Sequence, residues 1–364
     1  MIQKEQKIMA HPAEIQVAKT LAGIQPVPEA AVLKAYERLD ALTKPRRSLG
    51  YLEEIAARYA ALRQEARPSA ARKRVAVFVG DHRVVEEGVS AYPSSVTALM
   101  VRNFIAGGAA INVLARQVGA DIEVLDVGMM EDLGDLPGLT RRNVRRGAGN
   151  IARGPAMTRD EALSAIAAGI EAAHRAADQG VAMLATGEMG IGNTTPAAAL
   201  FSAYLGIPVS RLCGTGTGLD SEGMRRKARV LRRALRVNRG RLATPLDTLA
   251  ALGGLEIAGI CGLCLGGAER RLAVVVDGFI SSAGALAAMR IKPEVKGFLF
   301  FAHMSAEAGH RHFFKSEGLR PIVDLGMRLG EGTGAAIAMQ IIENAMAIYN
   351  EMATWAEAGI TPGA

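Results

Sequence analysis

Cysteine is nearly absent: the 364 residues hold only Cys213, Cys261 and Cys264. So few thiols exclude a disulfide framework and fit a reducing compartment. Cys261-Gly262-Leu263-Cys264 matches C-x-x-C, but it lacks a second pair or a histidine at zinc spacing and sits in an apolar helical run. It reads as two small core residues, and no metal is expected. Aromatic residues make up 4% of the chain, with one tryptophan, which argues against a surface that stacks bases. No apolar segment is both long and free of charge. The nearest, 249–268, carries Glu256 and several glycines and reads as a buried core helix rather than a membrane span. The opening residues, Met1-Ile2-Gln3-Lys4-Glu5-Gln6, have no apolar signal core, so a cytoplasmic protein is expected.

The chain is rich instead in apolar and small residues, with 49% hydrophobic residues and 41 glycines. That is enough for a large core, in one big domain or two modest ones. The net charge of +7 is concentrated in Arg225, Arg226, Lys227, Arg229, Arg232, Arg233, Arg236, Arg239 and Arg241, on one predicted helix and its exit. A nucleic-acid footprint is basic in this way, yet no aromatics are interleaved and no recognition motif accompanies it. The run therefore reads as a solvated helix face, with one or two residues reaching an anionic substrate or a partner subunit.

Short β-branched runs alternate with alanine-rich helical ones, the pattern of βαβ units and a parallel sheet. Strands are predicted at 74–79, 122–127, 181–185, 272–276, 298–301 and 322–324. Amphipathic helices are predicted at 29–42 and 51–63, and one long helical pattern runs over 334–358. The expected architecture is α/β: a three-layer, doubly wound, mainly parallel sheet over 71–334, with a small helical domain built from 1–70 and 335–364. Ligands in such sheets sit beyond the carboxyl ends of the strands.

The polar clusters fall at those ends. The strand-like run after Val181 enters Gly187-Glu188-Met189-Gly190-Ile191-Gly192-Asn193-Thr194-Thr195, and a helix leaves it. Backbone N–H groups and a helix N-terminus suit an anion, whereas Glu188 would repel one. Phosphate on the glycines, with a sugar or positively polarised group against Glu188, points to a nucleotide or phosphosugar. A second loop, Gly214-Thr215-Gly216-Thr217-Gly218, offers donors for one phosphate and equally reads as a tight turn. Neither loop fits G-x-G-x-x-G or carries the Gly-Lys-Ser/Thr of a P-loop, which removes support for an NAD-dependent oxidoreductase or an ATP site. Asp81-His82 reads as a loop-orienting pair before a catalytic dyad, and Asp277 as a ribose ligand or a helix cap. Glu331 lies between glycines at the start of the last helix, where burial must raise its pKa against the helix dipole if it is to act as a base.

These clusters, in this order, resemble the nicotinate-nucleotide:5,6-dimethylbenzimidazole phosphoribosyltransferases. The likeness spans nearly the whole chain and is carried by Ser48-Leu49-Gly50, 88–93, 107–114, 187–195, 214–218, 275–279, 305–307 and Leu329-Gly330-Glu331-Gly332-Thr333-Gly334. It implies transfer of 5-phosphoribosyl from nicotinate mononucleotide to a benzimidazole nitrogen with inversion at C1′, by a homodimer with sites near its interface. On this likeness Glu331 is the general base and Glu188 the second carboxylate, near the ribose. Gly187, Met189, Gly190, Ile191, Gly192, Asn193 and Thr194, with Gly214, Thr215, Gly216, Thr217 and Lys227, stand as phosphate and ribose contacts. Ser90, Ala91, Tyr92, Leu99, Leu329 and Gly330 fall in the base pocket, and Asp277 and Ser305 complete the substrate contacts.

The implied chemistry needs no cofactor, because the pyridinium of nicotinate mononucleotide is already a cationic leaving group. The chain departs from the family at Arg83 (commonly glycine), Arg46-Arg47 (commonly Pro-Gly), Leu99 (commonly glutamine) and Met304 (frequently arginine). Leu99 removes a polar contact to the base, so another azole, benzimidazole or phenolic acceptor is the first alternative. A catalytically silent nucleotide-binding relative is the second.

Overall fold

The computed structural model describes residues 11–214 and 220–361; Thr215, Gly216 and Thr217 of the second glycine loop lie outside the described residues. Six strands, β1 (Lys73–Gly80), β2 (Ala120–Gly128), β3 (Leu139–Arg141), β4 (Met183–Met189), β5 (Ala273–Val276) and β6 (Leu299–Phe301), form one sheet. Its order is β3-β2-β1-β4-β5-β6 with every pairing parallel. The sheet is thus doubly wound, with the switch point between β1 and β4, as the alternating pattern predicts. Two details differ from the expectation. Residues 322–324 form only an isolated bridge, Val323 against His303, and the edge strand β3 has only three residues, too few for an apolar period to mark it.

The helices are α1 (Pro12–Gly23), α2 (Glu29–Ala41), α3 (Tyr51–Arg63), α4 (Ser95–Ala106), α5 (Ala110–Gln117), α6 (Arg159–Asp178), α7 (Thr194–Leu205), α8 (Ser221–Asn238), α9 (Pro245–Leu252), α10 (Leu255–Glu269), α11 (Phe279–Ile291), α12 (His310–Glu317) and α13 (Thr333–Glu351). They cover both faces of the sheet, as the two-residue period of β1 shows. Gly259 of α10 abuts Phe78, whereas Gly332, just before α13, abuts Val75 on the opposite face. The strands are buried on both sides, and α10 is buried from Leu255 to Ala268. The glycine-containing apolar run is therefore core, and the thiols of Cys261 and Cys264 are pushed up by burial. The stretch 95–117 is long and apolar enough to cross a membrane by length and composition alone. It is broken into α4 and α5 at Gly107, whose φ of 80° ends α4.

Helix α3 packs against α2 and α13. A buried Lys44–Glu53 pair at 2.8 Å fixes the loop between α2 and α3, and Arg38 donates to the Tyr349 carbonyl at 2.7 Å. Helix α1 lies instead on α6 and α10, where Thr20 donates to Glu269 at 2.8 Å. The last helix stops at Glu351 rather than running to 358. Thr354 and Glu357 cap one another there, with Thr354 N–H donating to the Glu357 carboxylate at 2.7 Å and Glu357 N–H to the Thr354 hydroxyl at 3.2 Å. Such reciprocal caps start a new turn and end continuous helix.

Helices α6 and α10 meet backbone to backbone. A methyl group at Gly262 would stand 1.9 Å from the Ile166 carbonyl oxygen, and one at Gly169 would stand 1.9 Å from that of Gly259. Alanine favours a helix over glycine by about 1 kcal/mol, but this clash forces the helices apart, and overpacking costs about 1–3 kcal/mol or more. Gly262→Ala is expected to lower the melting temperature by roughly 1–3 °C, taking about 1.3 °C per kcal/mol for a chain of this size. An unchanged or raised melting temperature in calorimetry would refute the close contact.

Candidate active site

Beyond the carboxyl ends of the strands lies a cavity of about 360 Å³, within the size range of small-molecule sites. The end of β4 and the turn after it supply Glu188 to Thr194, the segment after β5 supplies Gly278 to Ser281, and that after β6 supplies His303, Ser305 and Glu307. Val89, Ser90, Tyr92, Val96 and Met100 line it from the chain after β1, and Arg328 to Glu331 from the approach to α13. Of the residues read from sequence, Glu188, Met189, Gly190, Ile191, Gly192, Asn193, Thr194, Ser90, Tyr92, Ser305, Leu329, Gly330 and Glu331 share this one cavity.

Glu331 is held by an unusual backbone. Gly330, Glu331 and Gly332 have φ of 87°, 64° and 96°, so a glutamate occupies the left-handed region, where glycine is favoured. Gly187 permits this turn, since a side chain there would strike the Glu331 carbonyl at 2.5 Å. The Glu331 carboxylate is buried and accepts from the Ile111 N–H at 3.3 Å. That donor belongs to the first turn of α5, not to α13, which Glu331 precedes. Burial pushes its pKa up; the Ile111 N–H opposes this, and the neighbouring Asp277 charge adds to it. The burial that the sequence reading required of a base is present.

Glu188, at the end of β4, accepts from the Asn193 amide and is pushed up to about 8. Burial is the largest cause, followed by the like charges of Asp277 and Glu256; Glu331 adds a smaller push, and the Asn193 bond pulls the other way. A side chain at Gly330 would stand 2.2 Å from a Glu188 oxygen, so glycine at 330 lets the two carboxylate segments pack together.

The glycine turn is less open than a phosphate cradle read from sequence. Ile191 N–H donates to the Thr97 hydroxyl at 3.2 Å, Asn193 N–H to the Gly190 carbonyl at 3.1 Å, and Thr195 N–H to the Gly192 carbonyl at 3.1 Å. The cation beside it is Lys227, 1% exposed, whose ammonium donates to the Thr194 hydroxyl at 2.7 Å. Burial lowers its pKa, and the charges of Glu307 and Cys213 work against that. Gly214 comes up to the Glu307 carboxylate.

Asp277 sits one layer below the cavity. Its oxygens accept from Ala335 N–H at 2.9 Å and Gly332 N–H at 3.3 Å, so it serves the start of α13. Ser305 is positioned by its own N–H, which donates to His310 Nδ1 at 2.8 Å. Burial pushes His310 down to about 3, so it stays neutral and keeps that lone pair. Ala91 and Leu99 are exposed, Leu99 at 62%. Helix α4 presents Val96 and Met100 to the cavity instead. Those two were missed from sequence, although their i, i+4 spacing on an apolar helix is the signal for a shared face.

A parallel sheet whose strand ends enclose a cavity with two buried carboxylates is the layout of an α/β enzyme. A family model described as phosphoribosyltransferase matches residues 24–360, and the chain belongs to that family. It is similar to proteins named nicotinate-nucleotide--dimethylbenzimidazole phosphoribosyltransferase. The one from Chlorobaculum parvum is 53% identical, covering 94% of this chain and 97% of the relative. The one from Geobacter sulfurreducens is 51% identical over 95% and 99%. The crystal structure of CobT from Thermus thermophilus superposes with a TM-score of 0.88 at 49% identity, covering 92% of this chain and all of that one.

Proposed function

We propose that this enzyme transfers the 5-phosphoribosyl group of nicotinate mononucleotide to a nitrogen of 5,6-dimethylbenzimidazole, giving α-ribazole 5′-phosphate and nicotinate with inversion at C1′. The observation that carries this reading is the pair of buried carboxylates, Glu188 and Glu331, facing one cavity, in a chain half identical to enzymes of that name. Glu331 takes the N–H proton of the benzimidazole while the other ring nitrogen attacks C1′. The bond from C1′ to the pyridinium nitrogen breaks, and its electron pair returns to that nitrogen, leaving nicotinate uncharged at the ring. Positive charge building on the sugar faces Glu188, which is how fixed charge lowers a barrier. Lys227, through Thr194, stands beside the region assigned to phosphate. Val96, Met100, Tyr92 and Leu329 offer apolar wall to the acceptor ring.

The exposed Tyr92, Leu99, Leu325 and Leu329, at 53%, 62%, 58% and 57%, support a homodimer that covers this rim. The wall from α4 being Val96 and Met100 favours selection of the acceptor by shape, which leaves room for other benzimidazoles. The test is a chromatographic assay of the purified chain with nicotinate mononucleotide and 5,6-dimethylbenzimidazole. Nicotinate and α-ribazole phosphate appearing in equal amounts is the expected result. Neither product with this or any acceptor in a panel of azoles and phenols would overturn the reading.

A further inference from the structure

Beneath the glycine turn that follows Glu188 lies a buried pair that does not line the cavity. His82, at the end of β1, is 1% exposed, and its Nε2 lies 2.7 Å from Glu256 Oε1 in the first turn of α10, itself 0% exposed. The imidazole is wedged between two backbones. A side chain at Gly254 would stand 2.2 Å from His82 Cε1, and one at Gly190 would stand 3.4 Å from His82 Cδ2. The other Glu256 oxygen is buried without a hydrogen-bond partner. The same turn is tied from α4, where the Thr97 hydroxyl accepts the Ile191 N–H at 3.2 Å.

We propose that His82 and Glu256 are a positioning pair for the transfer reaction, His82 holding the Gly190–Gly192 turn in place and Glu256 keeping a carboxylate fixed behind Glu188. Taking a histidine and a carboxylate out of water is costly, and apolar residues of like volume often fill such a place at no loss of stability. The return on this pair is in the site above it. Three carboxylates push Glu188 up, Asp277 after β5, Glu331 before α13 and Glu256 on α10, while His303 and Glu307 after β6 and Arg328 before α13 line the same cavity. Of the three carboxylates, Glu256 alone is neither part of the α13 entry turn nor bonded to it.

The inference rests on the function proposed above, and its test is the pH dependence of kcat/KM in the full chain. Glu256→Gln keeps an acceptor for His82 and removes the charge. It is expected to move the acid limb to lower pH by about 0.5 unit or more, because Glu188 loses one like charge and ionises more readily. The alkaline plateau stays within about three-fold of the wild type. His82→Ala is expected to raise KM for the nucleotide about ten-fold, with kcat falling less, and His82→Gln, which keeps a donor toward Glu256, to recover part of the loss. A Glu256→Gln profile parallel to wild type, lowered without any shift, overturns the pair as stated, as does unchanged KM in both His82 variants. A wild type that transfers nothing overturns instead the functional reading on which the pair depends.

Discussion

Replacing Glu331 with glycine is expected to cut turnover by roughly 10²–10⁴-fold, the ordinary contribution of a general base, and to leave the protein more stable than Glu331→Ala. The two effects have separate origins. The loss of rate follows from removing the group proposed to take the acceptor proton. The stability difference follows from the backbone, where residue 331 has a φ of 64° between two glycines that also have positive φ. A side chain in that region costs about 1–2 kcal/mol, a strain that alanine keeps and glycine releases. Glycine also adds unfolded-state entropy worth about 0.5–1 kcal/mol, and either variant loses the bond from Ile111 N–H. The net gain of glycine over alanine is thus about 1 kcal/mol. Calorimetry of the two variants beside the wild type reads it directly. Alanine melting at or above glycine would show that the turn is not strained, and more than a tenth of wild-type kcat/KM in Glu331→Gly would remove Glu331 from the role of base.

Glu188→Gln is expected to lose most activity while becoming more stable than the wild type as the pH rises. Glu188 titrates near 4.5 in the unfolded chain and near 8 in the fold, so folding takes up a proton between those values. Stability from this group is full below about pH 4.5, falls as pH rises towards 8, and is constant beyond. Glutamine, with no proton to hold, lacks that fall. At about 1.4 kcal/mol per unit, the wild type loses on the order of several kcal/mol across the window relative to the variant. Unfolding in denaturant at pH 4.5, 6.5 and 8 tests the sign: a difference constant across the three would contradict the raised pKa. Catalysis carries the same signature. In the proposed mechanism ionised Glu188 is the form that stabilises a cationic sugar, so kcat/KM of the free enzyme is expected to climb until about pH 8. The kcat profile bends at lower pH, because the bound pyridinium nucleotide favours the charged carboxylate.

Much of the site was legible because its residues lie in short strings at strand ends. Glu188 and the 187–195 turn follow an apolar run, and Glu331 stands among glycines before a long helical pattern. Both land on the same cavity because a doubly wound sheet brings all its carboxyl-terminal loops to one edge. Less legible were the contributions that pass through a second element. Val96 and Met100 became cavity wall, and Leu99 became exposed, through the rotation of α4 against the sheet. Asp277 faced two open readings, ribose ligand or helix cap, and its bonds in the structure go to Gly332 and Ala335. The length of the last helix was overread because the Thr354–Glu357 cap interrupts a sequence that stays helical in composition.

By itself the sequence determined the strand and helix alternation, the parallel doubly wound sheet, the two carboxylates and the family to which the chain belongs. Those follow from apolar period and from strings of adjacent residues, information that is local along the chain. Only the tertiary structure decided that the Ile191 N–H is spent on Thr97, that His82 and Glu256 form a pair beneath the turn, and that Glu188 is pushed up to about 8. Burial and like charge are sums over neighbours from β5, α10 and α13, far apart in sequence. No pattern along one segment encodes such a sum, because it exists only once the elements are packed.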